Sequence, residues 1–250
     1  MTAATPVHRY LRRVVNAVED YLLVWILLSV VLGLGAPDLA VITDFSTSIL
    51  AVMIGSISLT LSVKEFSQIS GRAVGLVLLG HLAMPFLAFG IARGLGLSPE
   101  LTVGFVVLGA VTPELVTPVM TKLAGGETAL STTALVVIGM GSLGFVPIIV
   151  TVLAGGVAIP TVPLVEQLVM AVVVPMLVAV GLRARWPDRI STYDGYYPGV
   201  SAAMVVLIIG GVTAANAAVI WSNTDLLAGV GAGVVALNGL GYGLGFFVSH

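Results

Sequence analysis

Thr112-Pro-Glu-Leu-Val-Thr-Pro118 sits inside the apolar run 101–120, which is about as long as a helix needs to be to cross a bilayer. That placement is expensive. Pro113 and Pro118 each remove a backbone donor and crowd the carbonyl four residues back. Glu114 adds an ionisable group at a cost of about 2.5–3.5 kcal/mol on insertion scales. Broken backbone at membrane depth is tolerated where protein covers it or where it lines a wet cavity, and its freed amides and carbonyls can then hold ions or substrate. The string therefore predicts a discontinuous membrane helix whose break is a working part of the molecule.

The rest of the chain supplies the membrane. Hydrophobic residues make up 58% and charged residues 9%, against roughly 25% charged in soluble domains; the mean hydropathy is +1.13. The apolar residues come in runs of helix-spanning length and not as short alternating strands, so the expected class is an all-α integral membrane protein and not a barrel. A net charge of -2 with no basic patch gives nucleic acid no electrostatic footing, and zero cysteines exclude disulfides, thiolate metal sites and cysteine nucleophiles. No cleavable signal peptide is read in residues 1–20, where His8, Arg9, Arg12, Arg13, Glu19 and Asp20 precede any long apolar run. They form an amphipathic lead-in.

A window of about twenty residues places spans at 21–36, 45–61, 73–93, 101–122, 128–154, 163–182, 198–220 and 225–248, about eight in all. Of the 10 Lys and Arg residues, all but Arg93 fall on one side of this map: Arg9, Arg12, Arg13, Lys64, Arg72, Lys122, Arg183, Arg185 and Arg189. Asp38, Asp44, Glu100 and Asp225 lie at the other face. The positive-inside rule then puts both termini in the cytoplasm of a multi-pass protein of the plasma or inner membrane. No connection is long enough for a soluble domain, so the lipid bilayer is the first partner and the chemistry lies within it.

Gly229, Gly231, Gly233, Gly239, Gly241, Gly243 and Gly245 crowd the last span and allow close helix approach. Tight packing inside one bundle is one reading of them and a homo-oligomer face is the other. Asn238 in that span is expected to donate a hydrogen bond to another helix. Pro85, Pro147 and Pro175 predict bends in the third, fifth and sixth spans.

Five strings resemble, in order and spacing, the bile acid:sodium symporter family: Met53-Ile-Gly-Ser-Ile-Ser-Leu-Thr-Leu61, Ala83-Met-Pro-Phe-Leu-Ala88, Ser98-Pro-Glu-Leu101, Val119-Met-Thr-Lys-Leu-Ala-Gly-Gly-Glu-Thr-Ala-Leu-Ser131 and Leu237-Asn-Gly-Leu-Gly-Tyr-Gly-Leu-Gly-Phe-Phe247. The resemblance covers nearly the whole chain. It implies an inverted-repeat transporter fold of ten spans, with a panel and a core domain and one broken helix from each repeat crossing at mid-membrane. Two sodium ions bind near such a crossing and a small organic anion moves by alternating access. Here the first five-helix repeat would occupy 21–154, with the broken fourth helix inside it, and 155–250 would form a second repeat incomplete by two helices. Those helices are then expected from a longer protein or from a second chain, unless the protein is a degenerate member.

The resemblance also marks site residues. Thr117 stands where the family has a serine at the break, Pro118 replaces its asparagine, and Ser131 matches a sodium-site serine in the next helix. Gly80 or His81 lies near the position of the family's third-span glutamine. Bottom-up chemistry adds Glu114, whose carboxylate can bind sodium, exchange a proton or cap the second half-helix through its dipole and free amides. Thr112, Thr117, Ser131 and Thr132 carry hydroxyls of the oxygen type that hard cations favour. His81 can take a proton or pack silently. The candidate ion and substrate residues are thus Glu114, Thr117, Ser131, Thr112, Thr132 and His81, with sodium as coupling ion at Glu114, Thr117 and Ser131 and no other cofactor.

The leading function is a secondary transporter, sodium-coupled symport of an organic anion. A proton-coupled carrier, and an incomplete subunit or channel needing a partner chain, are the alternatives. A membrane enzyme fits less well, since no His-Glu-x-x-His motif, paired intramembrane aspartates or acidic metal cluster is present.

Overall fold

In the computed structural model the described residues are 12, 15–60, 71–111, 121, 125–126, 128–153 and 161–249, and every element formed by them is helical. Residues 15–20 are helical and lead into α1, Leu22–Gly35. A 3-10 stretch, Pro37–Phe45, runs directly into α2, Ser46–Ser58. Then come α3, Gly71–Gly94; α4, Pro99–Ala110; and α5, Thr128–Leu153. Helix α6, Thr161–Leu168, passes through a π-helical turn, Val169–Val173, into α7, Val174–Arg185. The short α8, Pro187–Ser191, precedes α9, Tyr197–Ala215; α10, Ala217–Ser222; and α11, Thr224–Ser249.

Five stretches among the described residues are long and apolar enough to cross a membrane: Pro37–Ser58, Val74–Gly94, Glu166–Arg185, Tyr197–Ala215 and Thr224–Phe247. Leu22–Gly35, Pro99–Ala110 and Gly144–Leu153 are shorter apolar helices. Each overlaps one of the spans expected from the sequence, and five of them have spanning length. The protein is an all-α, multi-pass membrane protein.

Two compact units divide the chain, and each draws on early and late sequence: Met1–Val63 with Val169–Asn223, and Lys64–Leu168 with Thr224–His250.

In the first unit α9 packs on α1, on the 3-10 stretch and on α2. Lipid tails are as apolar as leucine, so helices in a bilayer gain little from hiding hydrophobic surface; close backbone approach selects partners instead. Glycines supply it here. A Cβ on Gly33 would fall 2.6 Å from the Gly210 carbonyl oxygen, and one on Gly211 would fall 2.8 Å from Ile42 Cβ. Buried Ser29 sits in the same seam and donates to its own helix, Oγ to the Ile26 carbonyl at 2.8 Å. On the opposite side of α2, Gly55 faces Pro175, whose Cβ would lie 3.5 Å from an added methyl. Pro175 has no N–H, so the Ala171 carbonyl loses its regular donor, and the widened turn at 169–173 lies where that deficit falls.

Polar groups of this unit gather at its ends. Arg183 makes a two-pronged pair with Asp194, Nη1 to Oδ1 and Nη2 to Oδ2, the second at 2.9 Å, which ties α7 to the turn before α9. Tyr197 donates from its hydroxyl to the Ile190 carbonyl at 3.0 Å. The 3 tryptophans also belong here. Trp25 and Trp221 donate from Nε1 to the carbonyls of Ala17 and Leu34, and Trp186 caps α7 beneath the Arg185 guanidinium. All three are exposed, as rings at a membrane–water boundary are.

In the second unit α3 packs on α4, α5 and α11. The α3–α4 hairpin follows from local signals. Gly96 takes φ +65 while Leu97 N–H reaches back to the Ala92 carbonyl at 3.0 Å, the glycine-terminated ending of a helix. Ser98 then accepts from Leu101 N–H at 3.4 Å, with Pro99 in the first turn. One core joins Val106 and Ala110 of α4 to Val146, Ile149 and Val150 of α5; a second joins Ala88, Ala92, Phe105 and Leu237. Gly233 and Gly241 of α11 press on Phe105 and Met84, so two glycines of the last span are packed inside this unit. Asn238 corrects an expectation: its Nδ2 donates to the Val234 carbonyl of its own helix at 2.9 Å, and the residue is exposed. An amide that finds an acceptor one turn back needs no second helix.

Candidate functional site at the end of helix α4

Helix α4 ends where the sequence says it should. Ala110 is its last residue, and Val111 turns to φ -70, ψ 149, an extended conformation. Pro113, two residues beyond Val111 in the sequence, has no backbone N–H to offer the Gly109 carbonyl. Thr112, Pro113, Glu114, Thr117 and Pro118 themselves lie outside the described residues. Where the chain is described again, Gly125 takes φ +74 and Gly126 N–H reaches the Thr121 carbonyl at 2.8 Å. This is a second glycine ending, and it precedes α5.

Ser131 stands in the first turns of α5, half-buried. Thr132 follows it on the same helix. The next residue, Thr133, was not singled out by its sequence, yet it is buried and its Oγ1 has no hydrogen-bond partner. Hydroxyls in membrane helices usually satisfy themselves on a carbonyl one turn back. Others in α5 do so: Ser142 Oγ donates to the Gly139 carbonyl and Thr151 Oγ1 to that of Pro147, both at 2.7 Å. The Ser131-Thr132-Thr133 run was the available signal, but which hydroxyl remains free depends on packing.

His81 belongs to α3, half-buried and four residues before Pro85. Its ring tilts against Phe145 of α5 with centroids 6.1 Å apart, and the approach of Gly109 to Met84 sets this part of α3 beside the end of α4. Nε2 is buried and has no partner. Pro85 cannot donate to the His81 carbonyl, so this residue has both a free ring nitrogen and a carbonyl without its regular helical donor. The structure thus sets His81 near the described end of α4. Among the described residues no group of three or more His, Asp or Glu side chains could hold a metal.

The sequence profile of the Sodium Bile acid symporter family matches residues 47–223, well over half of the chain. YocS of Bacillus subtilis (strain 168), described as an uncharacterized sodium-dependent transporter, is 28% identical over 230 residues, 89% of this chain and 70% of that protein. With a multi-pass helical body, a helix that stops at Ala110 before a proline-flanked glutamate, and this match, the chain belongs to the Sodium Bile acid symporter family, whose members are membrane transporters and not enzymes.

Proposed function

We propose that this protein is a sodium-coupled symporter of a small organic anion, working by alternating access. The observation that carries the reading is the stop of α4 at Ala110, with Val111 extended, directly before Thr112-Pro-Glu-Leu-Val-Thr-Pro118. Discontinuous helices of this kind present unpaired backbone groups to ions and substrates near the midplane. Sodium sits among Glu114, Thr117 and Ser131, with Thr112 and Thr132 as further oxygen donors. The sodium dependence in the name of the matched relative supports the choice of ion. Residues 21–154 and 155–250 form the two repeats, and both termini face the cytoplasm of the cell membrane. The one-sided distribution of Lys and Arg supports that orientation.

Uptake into proteoliposomes tests it, with a panel of labelled carboxylates and steroid acids driven by an inward sodium gradient. Potassium and choline serve as controls. Saturable, sodium-dependent uptake is expected, together with its loss in Glu114→Gln. Unchanged cation dependence in that variant would count against Glu114, and uptake indifferent to sodium would end the sodium reading.

The unpartnered Nε2 of His81 favours one second reading, a proton-coupled carrier. Uptake driven by an inward pH gradient in sodium-free buffer, and abolished in His81→Phe, would establish it.

A further inference from the structure

We infer that the connection between α7 and α9, together with the lead-in to α1, forms a headgroup site for an anionic phospholipid, built on Arg12, Arg185 and Arg189 with Trp186 and Tyr193 beside them. The inference stands independently of the ion and substrate reading above.

The site is a short cationic corner inside one compact unit. Helix α7 ends on Arg185, and Trp186 alone separates it from α8, which carries Arg189. Backbone bonds hold the corner: Trp186 N–H reaches the Leu182 carbonyl at 2.9 Å and Ile190 N–H the Trp186 carbonyl at 3.1 Å. Arg12 arrives from the lead-in, with its Nη2 3.7 Å from where a Cβ on Gly195 would lie.

These three guanidinium groups lack anions of their own. Asp194, the acid nearest Gly195 in the chain, is already taken by both prongs of Arg183. Arg12, Arg185 and Arg189 are exposed, and none makes an ion pair with a described residue. Asp188, also exposed, is the remaining carboxylate of the corner, so three positive charges face one negative charge. Glu19 and Asp20 belong to the other end of the lead-in, where Glu19 meets Gly199.

The surroundings select a lipid as the anion. Arg185 closes the apolar stretch Glu166–Arg185, which is long enough to cross a membrane, so the corner begins where such a stretch meets the headgroups. Trp186 and Tyr193 are 45% and 50% exposed, and indole and phenol rings favour that depth. The Arg185 guanidinium stacks over the Trp186 ring at 5.6 Å. A stacked guanidinium keeps its N–H edge open, and that edge matches a phosphate with two parallel hydrogen bonds.

Binding of chain-labelled phosphatidylglycerol to the purified protein in a neutral detergent, followed by fluorescence anisotropy, tests the assignment. Unlabelled phosphatidylglycerol, phosphatidylcholine and inorganic phosphate serve as competitors. Phosphatidylglycerol should displace the probe at concentrations about tenfold or more below those that phosphatidylcholine needs, and millimolar phosphate should not displace it. Arg185→Gln and Arg189→Gln should each weaken binding about fivefold, while Arg93→Gln, in the other unit, should leave it unchanged. Arg189→Gln carries the test alone if Arg185→Gln, which also loses the indole stack, does not fold. Equal competition by phosphatidylcholine, wild-type affinity in Arg189→Gln, or equal weakening in Arg93→Gln overturns the inference. Displacement by phosphate overturns the lipid as occupant and makes the corner a site for a free anion.

Discussion

The two compact units treat their polar groups differently. In the unit containing α1, α2, α7 and α9, no described buried side-chain nitrogen or oxygen is without a partner, and Ser29 bonds Ile26, Trp221 Leu34, Arg183 Asp194 and Tyr197 Ile190. In the unit containing α3, α4, α5 and α11, two buried side-chain atoms stand without one, His81 Nε2 and Thr133 Oγ1. A buried polar group left unsatisfied costs about 1–3 kcal/mol. The contrast leaves the second unit as the one with buried polar atoms to spare among the described residues.

The largest expected effect strikes the first unit. Gly33→Val puts a side chain where a single methyl already meets the Gly210 carbonyl at 2.6 Å. Overpacking of that kind costs about 1–3 kcal/mol or more, so the unfolding temperature in detergent should drop sharply and the yield of folded protein with it. A variant as stable as wild type would break the claim that glycine approach holds α1 to α9.

Thr133→Val probes the second unit with the opposite sign. Removing an orphan hydroxyl without changing shape should leave stability unchanged or raise it by about 1 kcal/mol, while sodium-dependent uptake falls. A destabilised variant would mean that the hydroxyl is satisfied after all, and the difference between the units would narrow.

Breaking the Arg183–Asp194 pair should matter less, because the side chains are 16% and 41% exposed. Arg183→Ala is expected to lose about 1 kcal/mol or less, with the loss shrinking in high salt. A loss independent of salt would point to packing of the arginine stem instead.

The smallest effect concerns Glu19, in the lead-in to α1. Partial burial and then the neighbouring Asp20 charge raise its pKa above the ordinary carboxylate value, against a lowering hydrogen bond from Gly199. With the folded pKa above the unfolded one, the folded state holds the proton more tightly. That contribution is present at low pH and is lost as pH rises through the folded pKa. Glu19→Gln should therefore flatten a slight decline in melting temperature between the acid side of that range and neutrality. An unchanged slope would show that Glu19 gains nothing from its proton.

Much of this fold was legible because bilayer thickness sets helix length. The span expected at 73–93 is α3, and that at 128–154 is α5. The α3–α4 hairpin was equally readable, since Gly96, Ser98 and Pro99 each act through their own backbone preference. The helical stretch Pro37–Phe45 was not. Asp38 and Asp44 made it look like an outer loop, yet Ile42 packs on Gly211, and that contact exists only after α9 has arrived. Nor does Pro175 alone announce a π turn. At the candidate site His81 could be picked out by residue type, but its neighbour Phe145 could not, because that ring contact exists only once α5 packs on α3. Thr133 failed to stand out for a similar reason, since three adjacent hydroxyls look alike until packing separates them. Glu114 and Thr117 retain the role their chemistry suggests, as proposals.

The placement of Trp25, Trp186 and Trp221 has a practical consequence. All 3 indoles of the chain belong to one unit, at helix ends and exposed. Intrinsic fluorescence is therefore a one-sided reporter. It follows melting of the paired unit and quenching by bromines carried high on a lipid chain, while events at His81 and the end of α4 stay dark. An indole introduced at Phe145 would give the silent half its own emission.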